Sequence, residues 1–462
     1  MFRKLIGSKE FYKKVLIITL PILIQQVITN FVSLVDNFMV GRLGTEQMSG
    51  VAGVNQLLFV FNICVFGGIS GAGIFTAQYF GKGDHKGVRD TFRAKIMIVA
   101  FIAAVCLGAF CFFDDELISL FLHQGEDNLD LAATLEFGKQ YMLIMLLQVP
   151  LFAITQAYAG TLRETGSTVL PMSAGIAAVV TNAVLDYVLI FGKLGLPALG
   201  VEGAAYATVI ARFVEASVIV AVTHINRNKY KYVKGLYRSV RIPFALVKDI
   251  AKKGFPLMLN EILWALGTTT LAWCYAQRGL EVFAAQNISS TVSNLFFCAF
   301  FAMGSAISII VGQLLGAGEL ERAKDEDRKL IFLAVVMCTV IGAVMAFLSP
   351  YIPQVYNTTD TVKRIATIFL LISSVLMPFH GFVHNAYFTL RCGGKTFITF
   401  LFDSVYVWAV CVPLAFVLAQ FTDASAITIY FAVQSLEIIK CVVGFILVKK
   451  GVWINNLVAD KE

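Results

Sequence analysis

Long apolar runs separated by short polar segments make up most of this sequence. Twelve of the runs hold the roughly 20 apolar residues that a helix needs to cross a bilayer. The pattern therefore predicts an all-α polytopic membrane protein with twelve transmembrane helices. The predicted spans are 14–40, 52–79, 94–113, 137–160, 170–191, 203–223, 254–277, 285–315, 330–348, 364–390, 396–420 and 424–448.

Composition supports this class. Of the 462 residues, 58% are hydrophobic and 15% are charged, whereas soluble domains are roughly 45–50% apolar and about 25% charged. Nine cysteines are scattered along the chain without a CxxC pair. We therefore expect neither a disulfide framework nor a structural zinc site.

The distribution of Lys and Arg predicts the orientation of the spans. With the N-terminus inside, and with residues at the span ends counted with the adjoining segments, the cytoplasmic segments hold 29 of the 37 Lys and Arg residues and the outer segments hold 6. Arg212 and Lys440 lie deeper within spans. Segment 224–253 alone carries nine Lys and Arg residues, and loop 114–136 carries seven acids and no Lys or Arg. We predict that both termini are cytoplasmic. Basic charge placed between spans also argues against a nucleic-acid partner, which would need a basic face on a folded surface.

The chain repeats itself. Pro21 matches Pro256 at an offset of 235, and Gln78-x-x-Gly81-x-Gly83 matches Gln313-x-x-Gly316-x-Gly318 at the same offset. A third match, at an offset of 228, relates Pro150 and the run 161–168 to Pro378 and the run 389–396.

Six spans per repeat is an even number, so both halves would enter the membrane in the same direction. This predicts a parallel repeat about the membrane normal, with a substrate path between the halves, as in a secondary carrier. The predicted domains are an N-lobe over 1–223, a basic linker over 224–253 and a C-lobe over 254–462. Two fused halves make a complete carrier, so we expect a monomer.

Ionisable groups within spans cost about 2.5–3.5 kcal/mol each on insertion scales and so mark candidate functional sites. In span 1, Gln26 and Asp36 lie on one polar arc of the helix. In span 5, Asn182 and Asp186 share a face at i and i+4. Two buried carboxylates brought close would share a proton, which is the chemistry of a proton-coupled carrier. The alternative is that Asp36 lies near the outer end of its span and touches water or Arg42.

Span 7 places Glu261 and Trp264 on one stripe. A carboxylate beside an aromatic face suits an organic cation or a metal cation. The alternative is an aromatic packing stripe with Glu261 bonded to a neighbouring helix. Gln26 is the repeat-equivalent of Glu261, so the two lobes would share the site and differ in charge.

Other charged residues in the spans favour structural roles. Arg212 with Glu215, and Glu437 with Lys440, are spaced i, i+3 and could neutralise one another. Asp403 has no predicted partner, and its role stays open.

His380 and His384 have the spacing of a metalloprotease helix, but Gly381 occupies the position of the general-base Glu. A zinc-dependent membrane enzyme is therefore a remote alternative. We weigh a hydrogen-bonded core pair against a role for His380 in lining the C-lobe cavity.

A set of motifs occurs in order through the first half of the chain, and the second half repeats part of it. The motifs are Pro21 to Gly44 with Asp36, Ala77 to Gly83, Gly160 to Gly166, Asn182 to Tyr187 and Gly200 to Thr208. In these motifs, and over nearly its whole length, the sequence resembles the multidrug and toxic compound extrusion (MATE) transporters.

The resemblance implies an antiporter of two six-helix lobes that exports organic, often cationic, small molecules as protons or sodium ions enter. It implies no cofactor and a lipid-embedded site in the plasma membrane of a bacterium. In DinF-like members an N-lobe cluster carries the coupling ion; its matching positions are Asp36, Tyr141, Asn182, Asp186 and Thr208.

In NorM-like members a span-7 Glu, matched by Glu261, acts with a span-10 Asp. Near that Asp this chain has Phe379 and His380. The alternative within the broad superfamily is a flippase for a lipid-linked substrate, which a strongly basic cavity or extra spans would favour. A receptor or scaffold would be expected to carry a sizeable soluble domain.

Overall fold

The computed structural model of the 462-residue chain describes residues 5–41, 45–119 and 131–459, except the side chains of residues 32–38, 41, 45 and 131. Within those residues the secondary structure is helical. The α-helices are α1 Lys9–Gly41, α2 Thr45–Lys82, α3 His85–Phe112, α4 Asp114–Ser119, α5 Leu131–Met145, α6 Gln148–Glu164, α7 Val169–Phe191, α8 Gly200–Ile225, α9 Phe244–Ala276, α10 Leu280–Gly316, α11 Leu320–Leu348, α12 Asp360–Cys392, α13 Thr396–Phe400, α14 Val412–Phe421 and α15 Ala426–Lys449.

Each predicted span coincides with a helix or a joined pair of helices. In the described part of the chain, ten helices are long and apolar enough to cross a membrane, or eleven if α5 and α6, bent by 48°, form one span. Helix α9 covers the remaining predicted span. It carries Asn260, Glu261 and three consecutive threonines from Thr268, and these polar residues lower its apolar content.

Short polar residues begin several of these helices. Asp84 caps α3 by accepting hydrogen bonds of 2.9 Å from the backbone N–H groups of Lys86 and Gly87. Ser425 caps α15 in the same way, through the N–H of Thr428. Such caps satisfy backbone donors that have no partner within the helix.

Contacts divide the chain into two compact units. The first unit contains Met1–Leu23, Ala77–Gly83 and Lys252–Glu462, and the second contains Ile24–Thr76 and Asp84–Ala251. In the first unit, apolar residues of the start of α1 pack with α10, α11 and α12 in one buried core.

The span between Thr396 and Phe421 departs from α geometry. Between α13 and α14 it forms two π-helical turns, Leu401–Val405 and Val407–Cys411. Trp408 Nε1 in the second turn donates a 2.9 Å hydrogen bond to the carbonyl of Leu263 in α9. Wide π turns are commonly found at functional sites, and here they lie against the helix that carries Glu261.

Candidate functional site

The second unit brings Asn182 and Thr208 together. Asn182 and Asp186 are buried on α7, with 8% and 2% of their surfaces exposed. The Asn182 amide lies 3.5 Å from the hydroxyl of Thr208 on α8. A Cβ at Gly203 would lie 2.7 Å from the Leu189 backbone, so a glycine there allows α8 to approach α7 closely, as small residues do in membrane helix pairs.

Other predicted members of this site lie on other helices. Tyr141 on α5 is buried, and its hydroxyl donates a 3.3 Å hydrogen bond to the side chain of Asn55 on α2. Gln26 is half-buried on α1. The neighbouring Gln25 lies against α7, because a Cβ at Gly175 would be 2.8 Å from its Nε2. Helix α1 extends through Asp36, but the Asp36 side chain lies outside the described residues.

The first unit contains a larger polar cluster, which we call the C-lobe cluster. Its members come from four spans whose helices pack together, so that buried charges can find partners across helix interfaces. They are Asn260, Glu261, Tyr387, Arg391, Asp403, Ser404, Glu437 and Lys440.

Glu261 lies at one side of the C-lobe cluster, facing α12. The Tyr387 hydroxyl donates to Glu261 Oε1 over 3.4 Å, and Arg391 Nη1 lies 4.0 Å from the same oxygen. Both separations exceed those of strong charge-assisted bonds. Trp264, one turn further along α9, is 38% exposed. The carboxylate is therefore partly neutralised by α12 without being locked to it.

Lys440 and Asp403 form the central ion pair of the cluster. Lys440 Nζ donates to Asp403 Oδ1 over 2.7 Å, and Lys440 is 5% exposed. The Asn260 amide donates to the other oxygen of Asp403 over 3.1 Å. The Ser404 hydroxyl donates to the Asn260 side-chain carbonyl over 2.8 Å. Asp403, for which the sequence indicated no partner, thus has two.

Glu437 and His380 extend the cluster. Glu437 Oε1 lies 4.0 Å from Lys440 Nζ, and Glu437 Oε2 lies 3.9 Å from His380 Nδ1. The predicted i, i+3 pair of Glu437 and Lys440 therefore has a longer separation than the contact of Lys440 with Asp403. By contrast, Arg212 and Glu215 form their i, i+3 ion pair at 2.7 Å.

His384 occupies a different environment from His380. Its ring centroid lies 4.9, 4.7 and 4.9 Å from those of Phe300, Phe301 and Phe388. Its buried Nε2 has no hydrogen-bond partner among the described residues. Within those residues, no group of three or more His, Cys, Asp and Glu side chains is placed to hold a metal ion.

Sequence reasoning missed Asn260, Tyr387 and Arg391 as members of this site. Asn260 is adjacent to the predicted site residue Glu261, and Arg391 belongs to the third repeat match, but neither was predicted to belong to the site. Their partners lie more than a hundred residues away along the chain. The spacing of residues within one helix cannot predict contacts between residues so far apart in the sequence.

A buried ion pair in the second unit was also missed. Lys95, fully buried on α3, is paired with Glu164 on α6, and its ammonium also lies 3.3 Å from the Thr161 hydroxyl. Thr389, the repeat-equivalent of Thr161, instead donates a 2.6 Å hydrogen bond to the buried Asp327 on α11. The two repeats thus use one threonine position to hold opposite charges.

A chain that is helical across its described ranges and carries charged clusters inside its spans is typical of a multi-pass membrane protein of the transporter class. The family model of MatE matches residues 21–188 and 256–421. The chain belongs to the MatE family, whose members are transporters rather than enzymes. This confirms the family predicted from the sequence motifs.

Relatives and solved structures agree with this family. The chain is 25% identical to the probable multidrug resistance protein NorM of Thermotoga maritima, covering 98% of this chain and 95% of the relative. It is also 25% identical to the probable multidrug resistance protein YoeA of Bacillus subtilis, covering 92% and 90%.

A mutant of the Vibrio cholerae MATE transporter VcmN shares the fold, with a TM-score of 0.86, 19% identity and coverage of 97% and 98%. A MOP superfamily transporter from Pyrococcus furiosus, described as having a binding pocket of reverse polarity, gives a TM-score of 0.85, 18% identity and 97% coverage of both chains. The predicted all-α polytopic class, with twelve spans in two lobes, is confirmed.

Proposed function

We propose that the protein is a multidrug efflux antiporter that exports organic cations in exchange for protons. The relatives named as probable multidrug resistance proteins support export of varied small molecules. Support for a cationic substrate comes from the charge balance of the C-lobe cluster. It contains three carboxylates, Glu261, Asp403 and Glu437, against two permanent cations, Lys440 and Arg391. With all five ionised, the cluster has a net charge of −1, which favours a cationic guest.

The proposed coupling site is the N-lobe set of Asp36, Tyr141, Asn182, Asp186 and Thr208. Asp186 is almost fully buried, and burial of an ionised carboxylate is costly. A proton taken up from outside would neutralise Asp186 and remove that cost. Asn182 and Thr208 would hold the carboxyl-bearing face of α7 against α8. A conformational preference that changes with the charge of Asp186 is the element that an antiporter requires.

The proposed substrate site of the first unit centres on Glu261, with Trp264 and His380 as further lining residues; in the second unit, Gln26 is the proposed repeat-equivalent of Glu261. The contacts of Glu261 with Tyr387 and Arg391 are long enough for an arriving cation to replace them. Trp264 offers an accessible aromatic face one turn away, which suits a cation beside a carboxylate.

The membrane, the orientation and the lobes that we propose are those predicted from the sequence. The distribution of Lys and Arg favours cytoplasmic termini, and we place the protein in a bacterial plasma membrane, surrounded by lipid and acting as a monomer without a cofactor. The proposed lobes are residues 1–223 and 254–462, joined by the segment 224–253.

The test is transport in liposomes that carry an imposed proton gradient or an imposed sodium gradient, followed with a fluorescent organic cation. Wild type, Asp36→Asn and Asp186→Asn would be compared with Glu281→Gln, which neutralises an exposed carboxylate. We expect the proton gradient to drive transport in wild type and in Glu281→Gln, and both Asp→Asn variants to lose it while remaining folded.

Two results would contradict parts of this proposal. Sodium-driven transport that survives both Asp→Asn substitutions would move the coupling site to the C-lobe cluster. An absence of dye movement under either gradient, in folded protein, would reject the drug antiporter and favour the flippase alternative.

A further inference from the structure

A basic cavity of about 910 Å³ lies in the second unit, where α3 begins and α8 ends. We call it the linker cavity, because much of its wall comes from the segment that follows α8. Five permanent cations and one histidine line it, and no carboxylate does. These residues are Arg89, Arg93, His224, Arg227, Lys234 and Arg238.

Buried tyrosines fix the wall of the linker cavity. Tyr230 and Tyr232 are buried, and their hydroxyls share hydrogen bonds of 3.0 Å with Ser167 and 3.1 Å with Thr165. Burial raises the pKa of the Tyr232 hydroxyl, so this anchor stays protonated. The segment is therefore held against the ends of the spans.

Two arginines of α3 hold the same wall through its backbone. Arg93 donates to the carbonyls of Gly235 and Leu236 over 2.7 and 2.8 Å, and Arg89 donates to the carbonyl of Tyr232 over 3.2 Å. The cavity is thus preformed, which lowers the entropic cost of binding a ligand.

Most of the positive charge in the cavity is uncompensated. Arg93 is neutralised by Asp90 at 3.0 Å. The side chains of Arg227, Lys234 and Arg238 are exposed, and among the described residues they make no hydrogen bond or ion pair. Three like charges gathered around a concave surface attract an anion with several acceptor oxygens.

The chain segment that lines the cavity also carries exposed apolar side chains. Ile225, Val240 and Phe244, in or beside the same segment, are 78%, 78% and 81% exposed. Tyr237 stacks on His224, with ring centroids 5.8 Å apart and an interplanar angle of 14°. Exposed aliphatic and aromatic side chains beside a basic pocket at a span end suit the headgroup level of a bilayer.

We infer that the linker cavity binds the phosphate of an anionic phospholipid. The exposed apolar residues beside the cavity would meet the acyl region, and the three free cations would bind the headgroup. Basic pockets at the cytoplasmic ends of spans bind such headgroups in other membrane proteins. The excess of Lys and Arg places this end of α3 and α8 on the cytoplasmic side, so the lipid would belong to the inner leaflet. This inference does not depend on the transported substrate.

Native mass spectrometry of the purified full chain would test it, with phosphatidylglycerol and phosphatidylcholine titrated separately. The test variant combines Arg227→Gln, Lys234→Gln and Arg238→Gln. Its matched control combines Arg241→Gln, Lys248→Gln and Lys252→Gln, three exposed basic positions that do not line the cavity. We expect the test variant to bind phosphatidylglycerol about tenfold more weakly, since each nearby cation contributes measurably to anionic lipid binding. The control should change binding by less than about twofold.

Three outcomes would overturn the inference. An equal loss of phosphatidylglycerol binding in both triple variants would show that the lipid is attracted to the positive charge of the protein in general and not to the linker cavity. Equal binding of the two lipids to wild type would exclude headgroup selection. Saturable binding of inorganic pyrophosphate in phosphatidylcholine nanodiscs, abolished in the test variant, together with no selective binding of phosphatidylglycerol, would identify a soluble phosphate as the ligand. Thermal unfolding of each variant would confirm that it is folded.

Discussion

The α-carbon of Gly81 lies directly against the backbone carbonyl of Gln313, within the first unit. The relationship is reciprocal, because Gly316 lies against the carbonyl of Gln78 in the same way. Gln78 and Gln313, like Gly81 and Gly316, are repeat-equivalent positions. The two copies of the Gln-x-x-Gly motif thus form a symmetric backbone crossing at the ends of α2 and α10.

Alanine at either crossing glycine should destabilise the protein. A Cβ at Gly81 or Gly316 would overlap a backbone carbonyl, which cannot rotate away as a side chain can. Overpacking of this kind costs about 1–3 kcal/mol, so we expect a lower unfolding temperature for Gly81→Ala and for Gly316→Ala. The control is Gly108→Ala, where the new Cβ would meet nothing within 4 Å. Unchanged unfolding temperatures for the two crossing variants would show that the helices can separate at little cost.

Removal of Lys440 should destabilise the first unit. Lys440→Gln leaves the carboxylate of Asp403 without its cation, and breaking a buried ion pair from one side costs about 3–5 kcal/mol. Asp403→Asn in the same chain should recover most of that loss, because the carboxylate in closest contact with Lys440 is then uncharged. The measurement is thermal unfolding followed with a thiol-reactive dye, which would report exposure of the five buried cysteines.

The control for the Lys440 and Asp403 variants is Lys450→Gln, at the exposed end of the helix that carries Lys440. We expect no loss of stability there. A double variant as unstable as Lys440→Gln would indicate that Lys440 acts through Glu437 rather than through Asp403.

Replacement of His384 by phenylalanine should be tolerated. The ring already packs among three phenylalanines, and its buried Nε2 has no described hydrogen-bond partner. Replacing an unpaired buried polar atom by an apolar one is nearly neutral, so we expect stability to change by less than about 1 kcal/mol and transport to persist. Loss of transport with intact folding would instead assign His384 a titrating role.

Neutralising Glu261 should weaken recognition of cations more than it weakens coupling. If Glu261 binds the substrate charge, Glu261→Gln should raise the KM for a cationic dye about tenfold, because loss of a contact with a charged group costs about 1.5–3 kcal/mol and each 1.4 kcal/mol is about tenfold in affinity. The KM for an uncharged substrate should change little. The measurement is proton-driven uptake over a range of dye concentrations, and complete loss of uptake at saturating dye would place Glu261 in the coupling step.

The sequence predicted the helices better than it predicted the partners. Twenty consecutive apolar residues have few alternatives to a helix in a bilayer, so the span limits and the structure agree closely. The i, i+3 spacing also predicted the Arg212–Glu215 pair, because a helix alone determines that distance. Lys440 shows the limit of this reasoning, since the same spacing favoured Glu437 while the shorter contact is with Asp403. Packing between helices decides such contacts.

The two π turns of the Thr396–Phe421 span give it an adjustable register. A π turn contains more residues than an α turn over nearly the same rise. The segment between Leu401 and Cys411 therefore contains more residues than an α-helix of the same length would. Deletion of one residue there would be absorbed by converting a π turn to an α turn, leaving the ends of the span in place. In a regular α-helix the same deletion would instead rotate the two sides relative to each other by about 100°. The residues before Leu401 and those after Cys411 would therefore keep the faces that they present to neighbouring helices, so this span tolerates a change of length that a regular α-helix would not.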